Sequence, residues 1–369
     1  MWKFFQPVQV MFGEGEIKKL GSYLKEFGYD RTFLVADSFL ERTGMIGKLM
    51  KDTQGSIVGY YCDVEPNPTV ENVDGVSEKI KSLDCDCIIA FGGGSTMDCA
   101  KAAAAAVAMD VSGNELMQGR SIEKALPIVA IPTTAGTASE VTAGAVLSDK
   151  KKGRKIAIFG NSLFPKLAVV DPEITYSVPA RMTAITGLDV LAHALDAMSS
   201  VKATVVTDSI ALGVCKLVRK YLERVVRNGA DKEARRGISE ACVTVGLAFS
   251  QTGTTGCHAC SYILTSKYQV PHGEACAFTM EDWLLIHAKE RPIFAEAAKE
   301  LGFDSVEEMA EWISSMKKEF GMRIGLSEIG AAEAELDLLT DSSMSSANMR
   351  NDIAKIGREG VYQIFKSKI

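Results

Sequence analysis

The sequence predicts a two-part fold, with an α/β domain containing a mostly parallel sheet over residues 1–180 and an all-α domain over residues 181–369. In the first part, short apolar runs alternate with helical patterns, which is typical of a parallel sheet covered on both faces. From about residue 181 the strand-like runs disappear and helical patterns follow one another. The chain has 369 residues, 47% of them hydrophobic, enough for two domains with ample core.

The apolar runs of the first part place its strands. Five buried strands are predicted at Thr32–Ala36, Ser56–Tyr61, Cys85–Ala90, Pro127–Ile131 and Leu167–Val170. A helix is predicted over residues 70–83, and residues 141–147 and 155–159 are expected to pair as an antiparallel addition. In the second part, helices are predicted over residues 181–199, 207–227, 231–249, 282–301 and 306–320.

Composition excludes several classes of protein. A net charge of -6 without a long basic run argues against a nucleic-acid partner. The apolar run 102–108 is too short to cross a membrane, and the N-terminus does not have the form of a signal peptide. Nine cysteines without framework spacing indicate reduced thiols and a cytoplasmic protein. The pair Cys257 and Cys260 has redox spacing, but its surroundings favour a helix that lines a metal site.

Two loops carry the pattern of a phosphate site. Phe91-Gly-Gly-Gly-Ser-Thr96 follows a strand and opens a helix, so that Gly93, Gly94 and Ser95 present free N–H groups to an anion. A tight strand-to-helix turn is the alternative. Downstream, Asp98 is expected to cap the helix or to face the cofactor, and Lys101 to face solvent.

The second loop, residues 131–140, is rich in hydroxyls and includes Thr133, Thr134 and Thr137. An elaborate helix N-cap is the alternative interpretation. Two such loops at the carboxyl ends of parallel strands predict nucleotide binding in one crevice. Asp37 ends its strand and either accepts hydrogen bonds from a ribose, which favours NAD over NADP, or caps the following turn.

Four residues form a candidate metal-ligand set. Asp189 and His193 are four apart and share one face of a predicted helix. With His258 and His272 they supply one carboxylate and three imidazoles, which suit Fe(II) and Zn(II) alike. The fourth histidine, His287, is expected at a helix surface or pocket edge rather than as a ligand.

These motifs together resemble the iron-containing (group III) alcohol dehydrogenases. The resemblance runs through Gly92–Ser95 with Asp98 and Lys101, Pro132–Thr137 with residues 139–142, Pro165 with Val170–Pro172, Gly187–Asp189 with His193, and Pro271–Gly273. It implies the dehydroquinate synthase-like architecture of a dinucleotide-binding domain and a helical domain. It also implies Fe(II), with Zn(II) as the other candidate, on Asp189, His193, His258 and His272. The dinucleotide, NAD(H) or NADP(H), would lie along Asp37, Asn67, Gly94, Ser95, Asp98, Thr133, Thr134, Thr137 and Lys155.

The activity that the resemblance implies is hydride transfer between a nicotinamide and a small alcohol or aldehyde, in a homodimer or larger homo-oligomer. Two positions depart from the family pattern. Tyr262 stands where many members have a histidine near the substrate, and Glu274 stands where small or apolar residues are common. Residues 199–208 and 264–268 are similar to the branch that reduces phosphonoacetaldehyde, in which case Arg181 or Lys267 would meet the anionic group.

Two other functions share this architecture. Dehydroquinate synthase-like lyases and glycerol-1-phosphate dehydrogenases typically use one acidic and two histidine ligands, so the additional His193 speaks against them. The other is a non-catalytic nucleotide-binding or assembly protein on this fold, and the intact ligand residues together with both loops argue against it.

Overall fold

The computed structural model describes residues 1–149 and 154–369, and it divides into two compact units. The α/β unit comprises Gln6–Thr134 and Ala138–Thr175. The helical unit comprises Met1–Phe5, Ala135–Thr137 and Tyr176–Ile369.

A parallel sheet forms the centre of the α/β unit. Among the described residues it contains six strands in the order β1-β8-β5-β4-β2-β3, and every neighbouring pair is parallel. A separate antiparallel pair, β6 and β7, confirms the predicted addition. The strands are β1 (Gln9–Phe12), β2 (Thr32–Ala36), β3 (Ile57–Tyr61), β4 (Cys87–Gly92), β5 (Ile128–Pro132), β6 (Gly144–Asp149), β7 (Arg154–Phe159) and β8 (Leu167–Val170).

The strand order places a switch point between β2 and β4. From β2 the chain moves outward to β3 at the sheet edge, then returns to form β4 on the other side of β2. Open α/β sheets bind ligands at the carboxyl ends of strands beside such a point. Asp37 follows β2 and the three-glycine loop follows β4, so both meet at this end of the sheet.

Helices cover both faces of the sheet and create two apolar cores. The run Ala102–Ala106 on α5 is fully buried, because methyl side chains let the helix pack closely against the strands. The helices of this unit are α1 (Leu20–Phe27), α2 (Ser38–Arg42), α3 (Met45–Asp52), α4 (Val70–Leu83), α5 (Gly94–Met109) and α6 (Gly113–Met117).

The second unit is helical, which completes the predicted fold class. Its helices are α7 (Ala180–Ser199), α8 (Val205–Arg227), α9 (Lys232–Thr252), α10 (Gly256–Tyr268), α11 (His272–Ala277), α12 (Met280–His287), α13 (Ile293–Glu300), α14 (Val306–Glu319), α15 (Leu336–Ser345), α16 (Ala347–Asn351) and α17 (Gly357–Lys366). The prediction of one helix over residues 282–301 is wrong, because Pro292 has no N–H to continue the first helix and is instead the N-cap residue of the second. Among the described residues, no helix combines the length and apolarity that a membrane span requires.

Lys101 is buried rather than solvent-facing, which corrects the prediction. Only 1% of its surface is exposed, and Nζ donates to Ser139 Oγ at 2.8 Å, to Thr142 Oγ1 at 3.3 Å and to the Gly144 carbonyl at 3.0 Å. Burial lowers the pKa of Lys101 to about 8. Through these three hydrogen bonds, the Lys101 ammonium links α5 to β6 and to the turn that precedes β6.

Replacing Lys101 with Met should leave these oxygen acceptors without their donor. We expect Lys101→Met to lower the free energy of unfolding by about 2–3 kcal/mol. Chemical denaturation measures the change, with the exposed Lys25→Met as the matched control. Equal midpoints for the two variants would contradict the assignment of Lys101 as a fastening residue.

Candidate metal centre and nucleotide loops

Helix α7 supplies three of the polar side chains at the candidate metal centre. Asp189, His193 and Asp196 are spaced four and three residues apart, so they lie along one face of the helix. All three are buried, with 3%, 5% and 0% of their surfaces exposed. Buried charged or polar residues need partners, so the side chains that face this helix from its neighbours decide what the three residues can do.

Helices α10 and α11 bring His258 and His272 to this face. Gly273 follows His272 directly, and a Cβ at this glycine would lie only 2.1 Å from the Ile185 carbonyl oxygen of α7. Only glycine permits this approach of the two helices. The Pro-His-Gly motif therefore positions His272 through its glycine as well as through its imidazole.

The predicted ligand side chains surround Asp189 Oδ1. Its distances are 3.7 Å to His258 Nε2, 3.9 Å to His193 Nδ1 and 4.0 Å to His272 Nε2. These separations are too long for hydrogen bonds. Neither Asp189 Oδ1 nor His193 Nδ1 has a hydrogen-bond partner in the described part of the chain.

Such an arrangement suits a bound cation. Donors that bind one ion at about 2 Å each lie roughly 4 Å or less from one another. A tight group of four donor atoms, all within 4.8 Å of one another, comes from Asp189, His258, His272 and the unpredicted Cys276. His193 adjoins this group, with its Nε2 3.1 Å from His258 Nε2 and its ring stacked on Phe249.

Asp196 orients His258, and sequence reasoning missed it. Its Oδ2 lies 2.7 Å from His258 Nδ1 and accepts the Thr255 N–H at 2.8 Å. With a proton on Nδ1, the lone pair of His258 lies on Nε2, which faces Asp189. Asp196 lies seven residues, or two helical turns, after Asp189, and this spacing was the sequence signal that could have placed it on the same face of the helix.

Burial sets the protonation of the cluster. It raises the pKa of Asp189 to about 6 and lowers the pKa of His193 well below its ordinary value. Burial acts in the same direction on His258, but Cys276 and Asp196 overcome it and raise the pKa of His258. Without a cation, therefore, the Asp189 carboxylate is disfavoured in its charged form.

Tyr262 lies beside the cluster. Its ring is nearly parallel to that of His272, with 6.5 Å between centroids and 12° between planes. The phenol oxygen accepts a hydrogen bond from Asn348 Nδ2 at 3.2 Å. Burial raises the pKa of Tyr262, so the group remains a neutral hydroxyl whose own proton is available to a further acceptor.

Glu274 is a structural anchor in the helical unit. Its buried carboxylate accepts hydrogen bonds from Nε and Nη2 of Arg323, each at 2.9 Å, and from Nη2 of Arg181 at 3.0 Å. Although burial raises the pKa of Glu274, Arg323 overcomes this and lowers it. Both cations predicted to meet an anionic substrate are therefore already paired, Arg181 with Glu274 and Lys267 with Glu335 at 2.6 Å.

In the α/β unit the glycine loop forms the predicted turn. Gly93 caps α5 and Gly94 begins it. A Cβ at Gly92 would lie 2.5 Å from Thr96 Oγ1, so the turn requires glycine there. Asn67 has a φ of 60° and donates its N–H to Ser95 Oγ at 3.1 Å, which places it beside the loop.

The threonine loop adjoins the glycine loop through its first residues. Thr133 N–H donates to the Gly92 carbonyl at 3.1 Å, and a Cβ at Gly93 would lie 3.6 Å from Thr134 Oγ1. Thr137 belongs to the helical unit, where the adjacent Gly136 packs against Thr186 of α7.

Three other predicted cofactor residues have different surroundings. The Asp98 carboxylate accepts Ser139 Oγ at 3.1 Å and the Val146 N–H at 3.0 Å. Asp37 is the N-cap of α2, where Oδ1 accepts the N–H groups of Phe39 and Leu40. The side chain of Lys155 lies outside the described part of the structure.

The two cysteines of α10 and the fourth histidine are all buried in the helical unit. Cys257 and Cys260 are buried free thiols within α10, as a helix at the metal site predicts. His287 is not at a surface, since only 1% of it is exposed and its Nε2 lies 3.0 Å from each carboxylate oxygen of Asp352. Asp352 in turn accepts the N–H of Gly256, which begins α10.

The parallel sheet with its glycine and threonine loops, together with the aspartate–histidine cluster, defines a metal-dependent, nicotinamide-linked oxidoreductase. Residues 7–172 match the iron-containing alcohol dehydrogenase family, and residues 183–369 match the C-terminal domain of the same family. The chain belongs to the iron-containing alcohol dehydrogenases, and it is a metal-dependent alcohol dehydrogenase or aldehyde reductase.

Individual relatives cover the whole chain. It is 32% identical to the NAD-dependent methanol dehydrogenase of Bacillus methanolicus over 100% of both chains. It is 33% identical to alcohol dehydrogenase 4 of Schizosaccharomyces pombe over 99% of this chain and 88% of that one. A similar solved structure is the crystal structure of sulfoacetaldehyde reductase from Bifidobacterium kashiwanohense in complex with NAD+. The two sequences are 37% identical, the match covers 100% of this chain and 98% of that chain, and the structures superpose with a TM-score of 0.95.

Replacing Asp196 with Asn should weaken metal binding, because the amide no longer holds His258 by a charge-assisted hydrogen bond. We expect about 10- to 100-fold lower affinity for Fe(II) or Zn(II). Metal content after dialysis against graded chelator concentrations measures it. Asp304→Asn, an exposed change in the same unit, should match the wild-type protein. Unchanged retention in Asp196→Asn would contradict the orienting role.

Proposed function

We propose that this chain reduces a short aldehyde that carries an anionic group, using NADH as the hydride donor. The observation that carries the proposal is the Tyr262–Asn348 pair, which stands beside the metal-competent cluster on the His272 side. The full-length similarity to a sulfoacetaldehyde reductase in complex with NAD+ supports it.

The proposed ligands are Asp189, His193, His258 and His272. A divalent metal held by them would act as a Lewis acid toward the substrate oxygen. The nicotinamide supplies the hydride. Asp196 keeps His258 in the tautomer that binds metal, while the apolar burial around Asp189 and His193 excludes water from the donors.

The anionic end of the substrate is assigned to neutral hydrogen-bond donors. Tyr262 accepts a hydrogen bond from Asn348, so its own hydroxyl proton is available to an oxygen of the substrate. The two cations anticipated for this role, Arg181 and Lys267, are paired with carboxylates. Neutral donors can satisfy the oxygens of an anion without contributing compensating charge.

This chemistry favours a sulfonate over a phosphonate. A sulfonate carries one negative charge, whereas a phosphonate, like a phosphate ester, approaches two near neutral pH. Desolvating the more highly charged group costs more when no cation compensates for it. Phosphonoacetaldehyde thus remains a candidate substrate, ranked below sulfoacetaldehyde.

The preference for NAD is assigned to Asp37 at the carboxyl end of β2. Its Oδ1 caps α2, and its negative charge lies at the switch point of the sheet. A carboxylate there would repel the 2′-phosphate of NADP and accept hydrogen bonds from the ribose of NAD.

A comparison of aldehydes tests the substrate class. With NADH and Fe(II)-loaded protein, kcat/KM should fall in the order sulfoacetaldehyde, phosphonoacetaldehyde, butanal, with at least about a tenfold gap between the first and last. In Tyr262→Phe, the KM for sulfoacetaldehyde should rise roughly tenfold while that for butanal changes little. Equal use of butanal by the wild-type enzyme would overturn the substrate class. An equal loss of kcat on both aldehydes in the variant would instead assign Tyr262 to proton transfer.

A change at Asp37 tests the cofactor preference. Asp37→Ser retains a side-chain oxygen for the α2 cap but removes the negative charge. We expect the ratio of kcat/KM for NADPH to that for NADH to rise by at least about tenfold, roughly 1.4 kcal/mol. The kcat/KM for each cofactor is measured at a saturating concentration of aldehyde. An unchanged ratio would rule out Asp37 as the selective residue.

A further inference from the structure

Cys276 stands inside the group of candidate metal donors. It follows His272 by one turn of α11, and its Sγ lies 3.9 Å from His272 Nδ1 and 3.8 Å from Nε2. The thiol is fully buried. The donor atoms of Asp189, His258, His272 and Cys276 all lie within 4.8 Å of one another.

A second observation points to a cation at the same place. Asp189 is 97% buried, yet its Oδ1 has no hydrogen-bond partner in the described part of the chain. An unpaired carboxylate oxygen in an apolar interior is costly unless a cation meets it. The Cys276 thiol lies in the same group of donors as this oxygen.

We propose that Cys276 is a sulfur ligand of the metal, additional to the aspartate and histidines. The inference rests on the proposed function of the same centre. On binding, the thiol loses its proton to solvent and a metal–sulfur bond forms, with no change in the oxidation state of either atom. Because thiolate is a soft ligand, Cys276 raises the affinity of the centre for zinc and cobalt(II).

The neighbouring thiols offer an internal control. Cys260 of α10 is equally buried, but among the described residues its sulfur is not part of the donor group formed by Asp189, His258, His272 and Cys276. A Cys→Ser change replaces the same sulfur atom with oxygen at both positions. Differences between Cys276→Ser and Cys260→Ser therefore report on the position of the sulfur.

Cobalt(II) substitution tests the proposal directly. The wild-type protein and Cys260→Ser should show a near-ultraviolet thiolate-to-cobalt charge-transfer band, and Cys276→Ser should lack it. Cys276→Ser should also bind Zn(II) at least about tenfold more weakly, as measured by competition with a chromogenic chelator. A wild-type band that persists in Cys276→Ser would overturn the assignment.

X-ray absorption of the wild-type zinc protein gives a result that does not depend on any variant. One sulfur scatterer at about 2.3 Å is expected beside the nitrogen and oxygen shell. A shell of nitrogen and oxygen alone overturns the sulfur ligand but leaves the aspartate–histidine centre in place. A wild-type protein that binds neither metal would overturn both proposals.

Discussion

The helical unit is organised around Asp189 Oδ1, a carboxylate oxygen without a hydrogen-bond partner among the described residues. This carboxylate is buried, three imidazoles face it from distances too long for hydrogen bonds, and burial raises its pKa to about 6. A bound metal ion would remove the cost of placing it there. Much of the local architecture serves this arrangement: Gly273 allows α11 to approach α7, and Asp196 turns His258 toward the site.

The other buried carboxylates show how differently the same chemical group is used. Glu274 is fully paired with two arginines, and Asp352 joins His287 to the first turn of α10. Both stabilise the helices that carry His272 and His258 and are satisfied without a ligand. Whether a buried acid is structural or functional is thus decided by its partners rather than by its burial.

The substrate side of the centre combines a departure from the family pattern with the pairing of the two cations that were anticipated there. Tyr262 was anticipated near the substrate, and its contact with Asn348 leaves one hydroxyl proton to offer. Arg181 and Lys267 were anticipated as binding residues for the anionic group, but each forms a salt bridge with a carboxylate. Selectivity among anionic aldehydes would then depend on neutral donors, which accept a single negative charge more readily than two.

Local patterns were sufficient for five of the six described strands of the parallel sheet, for the glycine turn and for the long helices, since apolar periodicity and glycine act within a few residues. They missed β1, a strand of only four residues at the sheet edge. They failed at residues 288–292, where Pro292 divides a helical pattern, and at Lys101, whose charge suggested solvent but whose oxygen partners lie about forty residues away along the chain. The candidate ligands Asp189, His193, His258 and His272 were readable because imidazoles are few and their spacing is distinctive. The tertiary structure alone decided the contact of Asp196 with His258, the place of Cys276 beside Asp189 and the pairing of Glu274 with Arg323, because each joins segments that are distant in sequence.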